Sequence, residues 1–448
     1  MNFARLKTLY NRCDPDEKLP IGDERYVDFD SMGVRGLNWV QRLARPIEMS
    51  DKPTFQLFTG LPGSGKSTEL LRLAKRLRQR DGANLLTVLI NAKDRVNLAD
   101  AVDETDILLM IVEACTRAVL EAEGHTDADV DKAMQEGFIS RVWHWITQTD
   151  VEFTQLQFQV GDIGKLGAEL KTRDSLRKRF RETVGANFNR FLGEVQDELV
   201  LLGSRAEQIG RAGIVVIVDS LEKLRGTGTT WDHVLTSAER VFADDGALRR
   251  LPLHTLFTIP PALVSRQRFA GVAFIPMIKL HRHPREGGGR HEPGYDAVMQ
   301  LLLARLGERD LAALFGSQTE VRVERLIEWS GGYPRELVRL LRQALASETI
   351  PLSDQDFDRL LNEVQDEYRK LLKTEDLDWL AQVAVTRYMT AGNEKDRETA
   401  DAMLGNNVVL RYLNAQDWFD VHPAVRALPE VAKAIAALEA RSATSSPT

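Results

Sequence analysis

The stretch FTGLPGSGKSTELLRL runs from Phe58 to Leu73 and crowds glycine, serine and lysine between an apolar run and an amphipathic one. Gly60, Gly65, Lys66 and Ser67 fit the pattern GxxxxGK[ST], after a predicted strand and at the start of a predicted helix. Glycines let such a loop wrap closely, so that successive backbone N–H groups point inward at phosphate oxygens. The helix N-terminus adds a field that favours anions. The expected phosphate cradle comprises Gly60, Pro62, Gly63, Ser64, Gly65, Lys66, Ser67 and Thr68. In it Lys66 reaches the β- and γ-phosphates, Ser67 ligates Mg2+, and Thr68 supports the site. The competing reading is a glycine-rich turn with an incidental lysine; the flanking strand and helix argue against it.

A phosphate loop of this kind needs an acid to hold the metal's water shell. IVVIVDSLEKL supplies Asp219 at the end of an apolar strand, where the alternative role is a helix cap. Ser220, not an acid, follows it, and Glu222 lies three residues beyond Asp219. Glu222 suits either the attacking water or the first turn of a helix, where the dipole favours an acid. HTLFTIPPALV ends the next predicted strand at Thr258, whose hydroxyl serves either the γ-phosphate and the lytic water or the following turn as a cap. In WSGGYPRELVRLL, Arg335 sits in a first helical turn, where a cation opposes the dipole, so local stability does not explain it. A nucleotide phosphate does explain it, with a plain surface arginine as the alternative. Arg266 and Arg268, in VSRQRFAG, are candidates for a finger inserted into a neighbour's site, or members of a solvated loop.

The elements that position these residues follow a βα rhythm. TFQLFTG, NLLTVLINAKD, IVVIVD, LPLHTLFTIP and GVAFIPMIKL read as five strands alternating with helices. Near-continuous β-branched runs of this sort predict a parallel sheet covered on both faces. The rhythm pauses between residues 120 and 210. There VEFTQLQFQVGDIGKLGAELK alternates at Leu156, Phe158 and Val160, as a hairpin or a loop would. SLRKRFRETVGANFNRFLGEVQDELVLL then places Leu176, Phe180, Val184, Phe188, Phe191, Val195 and Leu199 at steps of three or four. That predicts one long amphipathic helix whose stripe packs on the domain or meets a partner. HRHPREGGGRHEPG reads as a solvated loop rather than a metal site, because its histidines are irregularly spaced among glycines. Helices follow, one of them capped by Ser353, and then two helices, a two-stranded wing and a final helix.

The fold expected is therefore α/β: a P-loop parallel sheet with a long helical insertion, a helical lid and a C-terminal winged helix. The expected divisions are a lead-in over 1–50, a core over 51–290 with its insertion over 120–210, a lid over 291–372, a winged-helix-like domain over 373–440 and a disordered tail over 441–448. Composition sets limits on function. Of 448 residues, 59 are Lys or Arg and 66 Asp or Glu, a formal charge of −7, which disfavours a mainly electrostatic grip on nucleic acid. Two cysteines, Cys13 and Cys115, support neither a disulfide framework nor a zinc ribbon. The N-terminus lacks a signal-peptide apolar core, and no run approaches the roughly 18 apolar residues of a membrane span. A soluble, cytoplasmic protein is expected.

Taken in order, the P-loop, VDSLEKL, FTIPP and GGYPREL resemble the motifs of AAA+ ATPases, in particular the origin-recognition-like and STAND signalling branches. SGKSTELLRL with GIVVIVDSLEKL resembles bacterial ATPases of anti-phage and other conflict systems. The resemblance covers residues 35 to 425. It implies that Lys66 and Ser67 act as Walker A, Asp219 as Walker B, Thr258 as sensor 1 and Arg335 as the sensor 2 arginine. Many AAA+ members carry a glutamate directly after the Walker B aspartate; Ser220 stands there instead, and Glu222 matches the later acid of STAND-like members. This departure points to slow, switch-like hydrolysis rather than fast turnover. The function implied is an ATP-binding and hydrolysing switch that controls self-assembly, as a homo-oligomer, or a genetically linked effector protein. In that reading nucleotide between sheet domain and lid fixes their angle and hydrolysis releases it. The alternatives are a DNA-binding initiator or loader and a scaffold that binds ATP without hydrolysing it. Against the loader, residues 373–448 hold eight Lys and Arg but eleven Asp and Glu.

Overall fold

A computed structural model describes residues 1–149, 170–224, 230–266, 269 and 271–444. The alternation expected at Leu156, Phe158 and Val160 lies outside the described residues. By contacts the chain forms two compact units that interleave along the sequence. One comprises residues 41–59 and 70–273; the other comprises 1–40, 60–69 and 274–448.

Five strands, β1 (Phe55–Gly60), β2 (Leu86–Asn91), β3 (Ile214–Asp219), β4 (His254–Thr258) and β5 (Ala273–Ile275), form one sheet in the order β2-β3-β4-β1-β5. The pairings β2–β3, β3–β4 and β4–β1 are parallel, with Phe58 opposite Thr258 and Asn91 opposite Asp219. Every residue of β3 is buried, which is why IVVIVD reads as an unbroken apolar run rather than an alternation.

Within the first unit the helix Glu104–Ala122 buries Ile107, Leu108, Ile111, Val112, Cys115 and Val119, and packs against β2 and the helix Phe188–Gln208. Asp103 caps it by accepting the Thr105 N–H at 2.9 Å. The single long helix expected over SLRKRFRETVGANFNRFLGEVQDELVLL is two helices, Asp174–Gly185 and Phe188–Gln208. The break falls at Gly185-Ala186-Asn187, where glycine loses backbone entropy and asparagine competes for backbone hydrogen bonds. Six of the seven stripe positions are buried in the core and Phe188 packs against it, so the stripe serves the domain interior.

In the second unit the helix Phe3–Arg12, inside the expected lead-in, packs on helices Glu292–Leu306 and Pro334–Leu345. The helix Asp354–Arg369 is capped by Ser353, whose Oγ accepts the Asp356 N–H at 3.1 Å, and buries Phe357, Leu360, Leu361, Val364 and Tyr368. Beyond it come helices Leu377–Thr386 and Glu394–Gly405, the antiparallel ribbon β6 (Val409–Leu413) and β7 (Asp417–Val421), and helix Pro429–Thr444. This order of two helices, a two-stranded wing and a helix is that of a winged helix, and the last helix continues into the segment expected as a tail. His283, His291 and His422 accept the N–H groups of Arg285, Gly294 and Ala424 through Nδ1 and so cap the turns that follow them. No helix among the described residues is long and apolar enough to cross a membrane.

Candidate phosphate-binding site

The loop after β1 is shaped by its glycines. Gly63 and Gly65 take φ of +79° and +95°, the left-handed region that a side chain disfavours. A Cβ on Gly60 would collide with the Ile275 side chain and sit 3.0 Å from the Ser64 hydroxyl. The Ser64 N–H donates to the Leu61 carbonyl at 3.2 Å, and the Thr68 and Glu69 N–H groups donate to the Gly65 carbonyl at 3.0 and 3.1 Å. The helix Lys66–Leu77 thus begins directly at the lysine. Lys66 is only 4% exposed, and its Nζ donates to the carbonyls of Gly60 and Leu61 at 2.8 and 3.1 Å. The ammonium is held inside the curl of its own loop. Two left-handed glycines, a buried lysine and a helix N-terminus fit a polyphosphate, and the Ser67 hydroxyl beside them is an oxygen donor of the kind Mg2+ takes.

Residues of the same unit close around this loop. Arg35, 1% exposed, pairs with Glu69 at 3.2 Å, and its other amino group donates to the Ser64 carbonyl at 3.1 Å. Its guanidinium lies 4.7 Å from the centre of the Phe29 ring, and the Tyr26 hydroxyl donates to Glu69 at 3.1 Å. Asp30, 3.9 Å from Arg35, is pushed above the ordinary carboxylate range by burial. Tyr333 and Arg335 cover Gly63 so closely that a Cβ there would lie 2.5 Å from the Tyr333 ring and 2.6 Å from the Arg335 Cβ. Burial raises the Tyr333 phenol to about 12, which keeps it protonated. Arg335 donates through Nε to the Pro15 carbonyl at 3.2 Å and lies 3.6 Å from the Asp16 carboxylate. Asn407 donates through Nδ2 to the Pro62 carbonyl at 3.2 Å.

The other sequence candidates lie in the other unit, at the ends of β3 and β4. Asp219 accepts the Ser220 N–H at 2.8 Å, and Thr258 accepts the Leu221 N–H at 3.1 Å through its hydroxyl. Thr258 therefore holds the turn that leaves the neighbouring strand, a role outside both sequence readings. Ser220 has φ of +76°, uncommon for any residue but glycine, and Glu222 lies in the short 3-10 turn Leu221–Lys223. That non-glycine strain falls between the two acids; such strain gathers where chain direction matters to function. Arg268 and the side chain of Arg266 lie outside the described residues. Arg35, Tyr333 and Asn407 were not singled out from the sequence. The residue pair GlyTyr ahead of Pro334 was a visible signal for Tyr333, but Arg35 and Asn407 sit in segments without periodicity or motif.

No protein-family model matches the chain, and no curated protein matches it. Among solved structures it is similar to Drosophila ORC bound to DNA, with a TM-score of 0.38 and 11% identity over 97% of this chain and 93% of that one. It is similar to the Aeropyrum pernix ORC2 protein in ADPNP–ADP complexes, with a TM-score of 0.34 and 14% identity over 96% and 98% of the chains. It is also similar to Cdc6p from Pyrobaculum aerophilum, with a TM-score of 0.32 and 11% identity over 96% and 98%. At these identities and scores the likenesses assign no residue a role.

Proposed function

We propose that the chain is an ATP-binding and hydrolysing switch of the AAA+ type. The observation that carries the reading is the loop 60–68, with left-handed Gly63 and Gly65 and the buried Lys66 at a helix start. In this reading the backbone N–H groups of Gly63 and Gly65 and the Lys66 ammonium hold the phosphates. Ser67 and Asp219 would be the residues to hold magnesium, which would supply charge neutralisation for the phosphates. Glu222 orients or deprotonates the attacking water. Arg335 meets the terminal phosphate in exchange for its contacts to Pro15 and Asp16, and so couples the nucleotide to the helix Pro334–Leu345. The output is self-assembly or control of a genetically linked effector; an anti-phage setting rests on the family resemblance alone.

A second reading, a DNA-binding initiator or loader, is favoured by the winged helix. Its arginines weigh on the other side, since Arg387 and Arg426 pair with Asp420 and Arg411 with Asp417. A phosphate-release assay on wild type, Lys66→Ala and Glu222→Gln tests the enzyme. Slow release that Lys66→Ala abolishes is expected; release unaffected by Lys66→Ala contradicts it. Tight DNA binding that survives physiological salt would promote the loader.

A further inference from the structure

One side chain of the winged helix reaches the phosphate loop. Asn407 joins the helix Glu394–Gly405 to β6, has φ of +55°, and is 6% exposed. Its Nδ2 donates to the Pro62 carbonyl at 3.2 Å, and Tyr333 covers the next residue of the loop, where a Cβ on Gly63 would lie 2.5 Å from the Tyr333 ring. The peptide between Pro62 and Gly63 is planar, so its C=O and its N–H point in opposite directions. A donor that holds the carbonyl on one side fixes the N–H on the other.

We propose that Asn407 is a positioning residue: by holding the Pro62 carbonyl it aims the Gly63 N–H into the phosphate cradle, so that the winged helix sets the loop's grip on nucleotide. The surroundings are tied to it by hydrogen bonds and close packing. The Tyr412 hydroxyl, on β6, donates to the Gly331 carbonyl at 2.6 Å, and a Cβ on Gly331 would lie 2.7 Å from Leu410. The Arg411 carbonyl accepts the Met277 N–H at 2.9 Å. A shift of the ribbon therefore displaces both Asn407 and the Gly331-Gly332-Tyr333 turn over the loop. The wing then acts on the phosphates without touching them.

This inference rests on the reading of residues 60–68 as a phosphate site, and the test separates the two. Asn407→Gly keeps the left-handed backbone and removes the donor; Asn407→Asp keeps the shape and leaves only acceptors. The full chain is titrated with Mg·ADP by calorimetry and melted without nucleotide, alongside Lys66→Ala. Both Asn407 variants are expected to bind about tenfold more weakly, the loss of one oriented charge-assisted hydrogen bond. The Gly63 amide of glycine-labelled protein should also shift less on ADP addition in Asn407→Gly than in wild type. Wild-type affinity in either variant, or a lowered melting temperature with unchanged affinity, overturns the inference while the phosphate reading stands. Absence of ADP binding by wild type overturns both.

Discussion

Gly63 tests the shape of the loop with a single methyl group. Gly63→Ala meets a positive φ and a Cβ position 2.5 Å from the Tyr333 ring, so the loop must open or Tyr333 must leave. Such strain costs about 1–3 kcal/mol, and nucleotide affinity should fall at least tenfold by calorimetry while far-UV circular dichroism is kept. His422 makes a second prediction. It is fully buried, its ring centre lies 4.5 Å from that of Tyr368 with the planes tilted by 31°, and burial lowers it from 6.5 to about 3. The unfolded chain therefore binds a proton that the folded chain refuses, and stability present above pH 6.5 is lost as pH falls toward 3. The wild-type melting temperature should drop between pH 7.5 and 5, more steeply than that of His422→Gln. At this scale the glycines and Lys66 were legible because one contiguous segment builds the cradle. Asn407 was not, because its partner Pro62 is 345 residues away and only tertiary packing brings them together.

Whole helices and strands were easier to read than their joints. β3 announces itself because burial on both faces leaves no polar position before Asp219. The helices Asp174–Gly185 and Phe188–Gln208 were legible as one apolar stripe, yet the stripe's period carries across Ala186 and Asn187 and hides the break. Periodicity reports which face is buried, not whether every turn is closed. Thr258 shows the same limit: its place at a strand end was readable, but its bond to the Leu221 N–H depends on which strand lies beside it. Since the stripe is core, Phe191→Ala should destabilise by about 3–5 kcal/mol, as large-to-small core changes do. Urea unfolding measures it; a loss under 1 kcal/mol would mean that the helix sits on the body as a replaceable surface.

For the whole molecule the questions are charge and assembly. A formal charge of −7 gives no general attraction to phosphate-rich surfaces, so any phosphate affinity has to be local. Static light scattering with and without a non-hydrolysable ATP analogue tests the output. An increase in mass with the analogue, absent in Lys66→Ala, is expected if the switch drives self-assembly. An unchanged mass removes that version and leaves control of a partner.

In the proposed switch a triphosphate rests on the amides ahead of Lys66. Calorimetric titration of the full chain with Mg·ATP tests it most directly. Saturable binding near one nucleotide per chain is expected, weakened at least tenfold by Lys66→Ala, which removes a charge-assisted contact worth about 1.5–3 kcal/mol. No binding by wild type, or equal binding by Lys66→Ala, would contradict it.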